Sequence, residues 1–115
     1  MIGKAMLAGA LLLGTATAFA SPPGDAREVR IPRMSHFLEW HADGHRGIYI
    51  RGDTGKWYYA RVQGECPRLR PTASVSFQTV RGGELDRYGA LRVDGWRCQL
   101  SSVTESAAPA SHRVH

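Results

Sequence analysis

Three histidines and an aspartate crowd one stretch, "SHFLEWHADGHRG", in which His36, His41, Asp43 and His45 fall within ten residues. Imidazole and carboxylate groups at such spacing are ligand types for zinc or copper. Against a built metal centre, Asp43-Gly44 reads as a polar turn between strands, and no second set of residues is patterned to orient the imidazoles. A metal-handling or metal-dependent role for these four residues is the runner-up reading, and the expectation for a metal site is none. His112 and His115 fall in the C-terminal tail and add little. Asp53-Thr54-Gly55 is the tripeptide of aspartic proteases, whose aspartates work as a proton-sharing pair. Here it has no second copy, follows Ile50-Arg51-Gly52 and is explained as a hairpin turn. Arg51-Gly52-Asp53 overlaps that turn and is read as chance. No serine or cysteine has a recognisable base partner or nucleophile motif. The expectation is a protein without enzymatic activity or cofactor.

The remaining reactive residues are Cys66, in "QGECPRLRP", and Cys98, in "GWRCQL". Free thiols and a redox-active pair are alternatives, but no C-x-x-C spacing supports redox work. The N-terminus points to a structural bridge. Lys4, the apolar run "AMLAGALLLG" and the small-residue exit Ala18-Phe19-Ala20 follow the order of a secretory signal peptide, predicted over residues 1–20. The apolar run is well short of the ~20 residues needed to span a bilayer. The mature chain is expected to be periplasmic or secreted, without a membrane span, where disulfides persist. In the chain-entropy model, a Cys66–Cys98 bridge contributes roughly 3–4 kcal/mol.

Losing the single cation Lys4 lowers the formal net charge from +5 to +4, and Lys56 is then the only lysine beside thirteen arginines. Arginine favours planar, bidentate contact with carboxylate or phosphate and stacks on aromatic rings. Residues 21–30 and 105–115 are polar, proline-bearing or poor in large apolar side chains, and both are predicted to be disordered. One small β domain is expected over residues 31–104.

The elements that must position these groups read as strands. In "GIYIRGDTGKWYYARV", Asp53-Thr54-Gly55 fits a three-residue loop with Gly55 in the left-handed region. Pairing Gly52 with Lys56 places Ile48, Ile50, Tyr58, Ala60 and Val62 on the core face. In "ALRVDGWRCQL", Asp94-Gly95 is a two-residue turn that pairs Val93 with Trp96 and Leu91 with Cys98. Leu91, Val93, Trp96, Cys98 and Leu100 are then predicted to face inward. "ASVSFQTV" supplies a strand with Val75 and Phe77 inward, and "SHFLEW" a first strand with Leu38 and Trp40 inward. No segment sustains a helical period. The fold expected is all-β, a small antiparallel barrel or sandwich of five to six short strands with one disulfide. Pro67 makes the Cys66 segment a connector between strands.

The same register turns Tyr49, Arg51, Trp57, Tyr59 and Arg61 outward together. Aromatic rings interleaved with arginine are how small β folds hold anionic or ring-bearing ligands. Such pairs also stabilise an exposed sheet with no ligand at all. These five residues are the candidate ligand-binding set, for an acidic protein or an anionic envelope glycan rather than nucleic acid. A purely structural envelope component is a further alternative.

"WYYARVQGECPRLRPTASVSF", with the later "LRVDGWRCQLSSV", resembles an uncharacterised family of small exported proteobacterial proteins, a domain of unknown function. The similarity lies in an aromatic strand entering Cys-Pro-x-Leu and in a late strand cysteine, and it covers roughly residues 30–104. The resemblance implies an exported small β domain and assigns no activity. Relatives often carry another cysteine near the first strand, and "REVRIPRMSHF" has none. The chain is read as a non-enzymatic binding or accessory module of the cell envelope.

Overall fold

Asp53-Thr54-Gly55 turns the chain with Gly55 at φ +92°, a left-handed value that an L side chain rarely adopts. The Gly55 amide donates to the Gly52 carbonyl at 3.0 Å and Gly52 to Lys56 at 2.8 Å, closing the three-residue loop. That turn joins strand β2 (Gly47–Arg51) to β3 (Trp57–Val62) in the register expected, with Ile50 opposite Tyr58 and Ile48 opposite Ala60. Asp94 (φ +50°) and Gly95 (φ +87°) make the second tight turn, between β5 (Ala90–Val93) and β6 (Trp96–Glu105). Val93 pairs with Trp96 and Leu91 with Cys98. With β1 (Glu39–Asp43) and β4 (Val75–Gln78), the order across one antiparallel sheet is β1-β2-β3-β6-β5-β4. The computed structural model describes residues 27–110 and is all-β, a sheet curled into a half-barrel and stapled by the Cys66–Cys98 disulfide. The predicted signal peptide lies outside the described residues.

Period-2 alternation fills the concave side. Ile48, Ile50, Ala60, Leu91 and Val93 are fully buried, and Tyr58, Val62 and Leu100 nearly so. Leu69 and Cys66 come up from the connector beneath β3, and the disulfide ties that connector to β6 with Cα atoms 5.8 Å apart. Val75 and Phe77 are partly buried against this core, as predicted.

Several expectations need correction. The first strand is Glu39–Asp43 rather than residues 35–40, because Met34–His36 coil into one 3-10 turn. His41 and Asp43 therefore lie on a strand, and the turn follows them. Leu38, expected inside, is 54% exposed; Phe37 takes the core contact instead, its ring 5.0 Å edge-on from Phe77. Trp96, also expected inside, is 60% exposed although Val93 opposite it is fully buried, because β3 has parted from β6 and leaves its flank open. Cys98 is only half-buried.

The domain also begins before residue 31. Glu28 bridges Thr104, the Val29 amide donates to the Val103 carbonyl at 2.8 Å, and Ile31 pairs with Leu85. At the other end, Glu105 belongs to β6 and the Ser106 amide donates to the Trp57 carbonyl. The tails were read by composition, which does not register that β6 extends past β5 and offers an edge for Glu28 and Val29 to pair with.

Candidate functional site

The outward face of β1, β2 and β3 is built in cross-strand rows. Glu39, Arg51 and Trp57 form one row; His41, Tyr49 and Tyr59 the next; Asp43, Gly47 and Arg61 the third. All five predicted ligand residues share this face. β1 adds Glu39, His41 and Asp43, which the misplaced first strand hid. The signal was present: in "EWHAD", polar Glu39, His41 and Asp43 alternate with apolar Trp40 and Ala42.

These groups are largely committed to one another. Arg51 Nη1 donates to Glu39 Oε2 at 3.1 Å, and its guanidinium lies 6.0 Å from the centre of the Trp57 ring. His41 Nε2 meets Glu39 Oε1 at 2.9 Å. The Tyr59 hydroxyl donates to Asp43 Oδ2 at 2.6 Å, and its ring, 1% exposed, is met edge-on by Tyr49 at 4.9 Å. Arg46 Nη2 donates to Asp43 Oδ1 at 3.0 Å. Burial pushes the Tyr59 hydroxyl well above its ordinary pKa, and the neighbouring Asp43 carboxylate adds to it. Burial also opposes ionisation of Asp43, but the Tyr59 hydroxyl and Arg46 outweigh it and hold that carboxyl below the usual range. Gly47 makes room for the pair, since a Cβ there would fall 2.7 Å from the Tyr59 oxygen and 2.5 Å from the Ala60 carbonyl.

The histidine cluster does not gather. His36 Nδ1 pairs with the Ser35 hydroxyl at 3.0 Å, and Asp43 turns to Tyr59 and Arg46. Among the described residues no three histidine, cysteine, aspartate or glutamate side chains are grouped to hold a metal ion. Asp53 of the protease-like tripeptide is hydrogen-bonded to the Arg33 guanidinium, which holds its carboxyl below the usual range.

A second region escaped the sequence reading. Beyond Val62↔Leu100, β3 no longer pairs with β6, and the first residues of β6 have a strand partner on one side only. The gap on the other side is a groove of about 420 Å³ between β6 and the connector, lined by Gln63, Glu65, Pro67, Arg68 and Trp96–Gln99. The Arg68 guanidinium lies 4.8 Å from the centre of the Trp96 ring. Expecting Trp96 to be in the core is what concealed this groove.

Carboxylates and arginines divide unevenly over the molecule. Glu39, Asp43, Asp53, Glu84, Asp86, Asp94 and Glu105 each join an ion pair. Arg27, Arg61, Arg68, Arg81, Arg87, Arg92 and Arg97 form none among the described residues, and Arg92 and Arg97 sit directly opposite each other across β5 and β6. Like charges so placed are destabilising unless something neutralises them.

Fold and site together define a disulfide-stapled antiparallel half-barrel with a cationic, aromatic surface. No family model matches the chain, and neither does any curated protein or solved structure.

Proposed function

We propose that this protein is an exported, non-enzymatic binding module of the cell envelope that takes an anionic partner. The supporting observation is the charge partition: most carboxylates are spent on ion pairs, while seven exposed arginines, Arg27, Arg61, Arg68, Arg81, Arg87, Arg92 and Arg97, form none among the described residues. Seven guanidiniums without an ion pair on so small a domain repel one another, and an anionic partner relieves that repulsion. Of the five residues first assigned to the ligand, Arg61 is the one whose charge is exposed and makes no direct ion pair, though it acts on the Asp43 carboxylate at longer range. The Arg51–Glu39 pair and the Tyr59–Asp43 bond serve the sheet itself.

The test is retention of the purified chain on anionic and neutral polysaccharide matrices across a salt gradient. Tight retention on the anionic matrix that weakens steadily with salt is the expected result, because mobile ions screen and displace such contacts. Equal retention on both matrices, or none on the anionic matrix at low salt, overturns the proposal.

A further inference from the structure

The groove beside the disulfide combines groups that the sheet does not use. Trp96 presents a 60% exposed indole beside the Arg68 guanidinium. Arg68 is exposed and forms no ion pair among the described residues, whereas the Arg97 guanidinium donates to Gln78 Oε1 at 3.1 Å and Gln99 Oε1 at 2.6 Å on the other face of β6. The main chain adds polar groups. Leu100 N–H donates to Gly89 across the sheet, and Gln99 C=O accepts from Gln63 N–H on the groove side. Neighbouring strand residues alternate in this way, so the Arg97 N–H and C=O are directed into the groove.

The arrangement is also held in place. Arg68 lies two residues after Cys66, and Trp96 two before Cys98, so the bridge that joins the cysteines sets the guanidinium beside the ring. A neighbouring hollow of about 500 Å³, lined in part by Arg61 and Ser101, shares Gln63 with the groove.

We infer that this groove binds an anionic saccharide, with a sugar ring laid on the Trp96 indole and its carboxylate or sulfate held by Arg68 and the Arg97 N–H. The inference rests on the anionic-partner reading above and names the ligand class and the site. An indole face is electron-rich and attracts the C–H face of a sugar ring. A guanidinium takes an acidic substituent through two parallel hydrogen bonds. Glu65 also lines the groove. A carboxylate there repels the densely charged backbone of a nucleic acid, yet accepts hydrogen bonds from sugar hydroxyls. Sparse charge on a polyhydroxylated chain is what this mixture of groups fits.

The experiment titrates the full mature chain with three probes: a galacturonate hexamer, neutral maltohexaose and an oligothymidylate of matched charge. Tight binding of the galacturonate alone is expected. Trp96→Ala weakens it about tenfold with its salt dependence kept, as for loss of one stacking ring. Arg68→Gln weakens it and flattens that dependence, whereas Arg81→Gln, at an exposed arginine away from the groove, leaves it unchanged. If Trp96→Ala lowers the unfolding midpoint, Arg68→Gln carries the test. Equal binding of maltohexaose, or tighter binding of the oligothymidylate, overturns the saccharide assignment. Retention on anionic matrices that neither groove variant alters overturns this site and leaves the proposed function standing. Binding of no anionic probe, with no retention on any anionic matrix, ends both.

Discussion

Tyr59 was singled out as an outward aromatic and lies on that face, yet it is sealed there by its bond to Asp43. Tyr59→Phe removes a hydrogen bond to a charged acceptor. The expected loss is about 1.5 kcal/mol, the low end for such bonds, because Asp43 keeps Arg46 and some contact with water. The pH profile follows from the two shifts. Tyr59 ionises less readily folded than unfolded, so its contribution is full below about pH 10, where free tyrosine titrates, and declines as pH rises beyond. Asp43 is shifted down, so its contribution is full above about pH 4 and is lost as pH falls through its folded value. Unfolding midpoints from pH 2 to 11 should show both edges in the wild type and a flattened alkaline edge in Tyr59→Phe. Thr104 makes the opposite case. It is fully buried, and its hydroxyl has no hydrogen-bond partner among the described residues. Thr104→Val keeps the shape and removes the unsatisfied group, so urea denaturation should show a gain of about 1 kcal/mol.

Turns carry the register of the sheet, and they separate positions that look alike in the sequence. Gly55→Val puts a β-branched residue at a positive φ, whereas Thr54→Val places one in open backbone. Denaturant midpoints should show the first costing at least about 1 kcal/mol more than the second. Gly47→Ala should be comparably harmful for a different reason, since its backbone is ordinary but the space above it belongs to Tyr59 and Ala60. The two hairpins were legible because Asp53-Thr54-Gly55 and Asp94-Gly95 have few conformational solutions, and each fixes the facing of its strands. β1 was misread for want of such a turn before it. Arg33, at φ +49°, ends the N-terminal segment in a left-handed conformation that no glycine advertises. Trp96 departs from the expectation because alternation tells which side a residue faces and not whether a neighbouring strand covers its flank. The groove depends on where β3 and β6 separate, near a register shift at Arg61 and Val62. No local residue pattern announced that separation.

The Cys66–Cys98 bridge and the N-terminal segment are long-range closures outside the strand ladder. Replacing both cysteines with alanine should lower stability by roughly 3–4 kcal/mol, measured by thermal or chemical unfolding. It should also loosen Arg68 from Trp96, which tryptophan fluorescence quenching by iodide or acrylamide would report. The other closure sets the Glu28 strand edge beside Thr104, antiparallel to it, so the chain enters and leaves the domain at the same rim. β6 then runs eight residues back to Trp96, roughly 27 Å at the usual strand rise. The half-barrel thus has a mooring end and a working end. A linkage that meets the domain at the Glu28–Thr104 rim lies at the far end of β6 from Trp96, so it leaves the tryptophan groove uncovered.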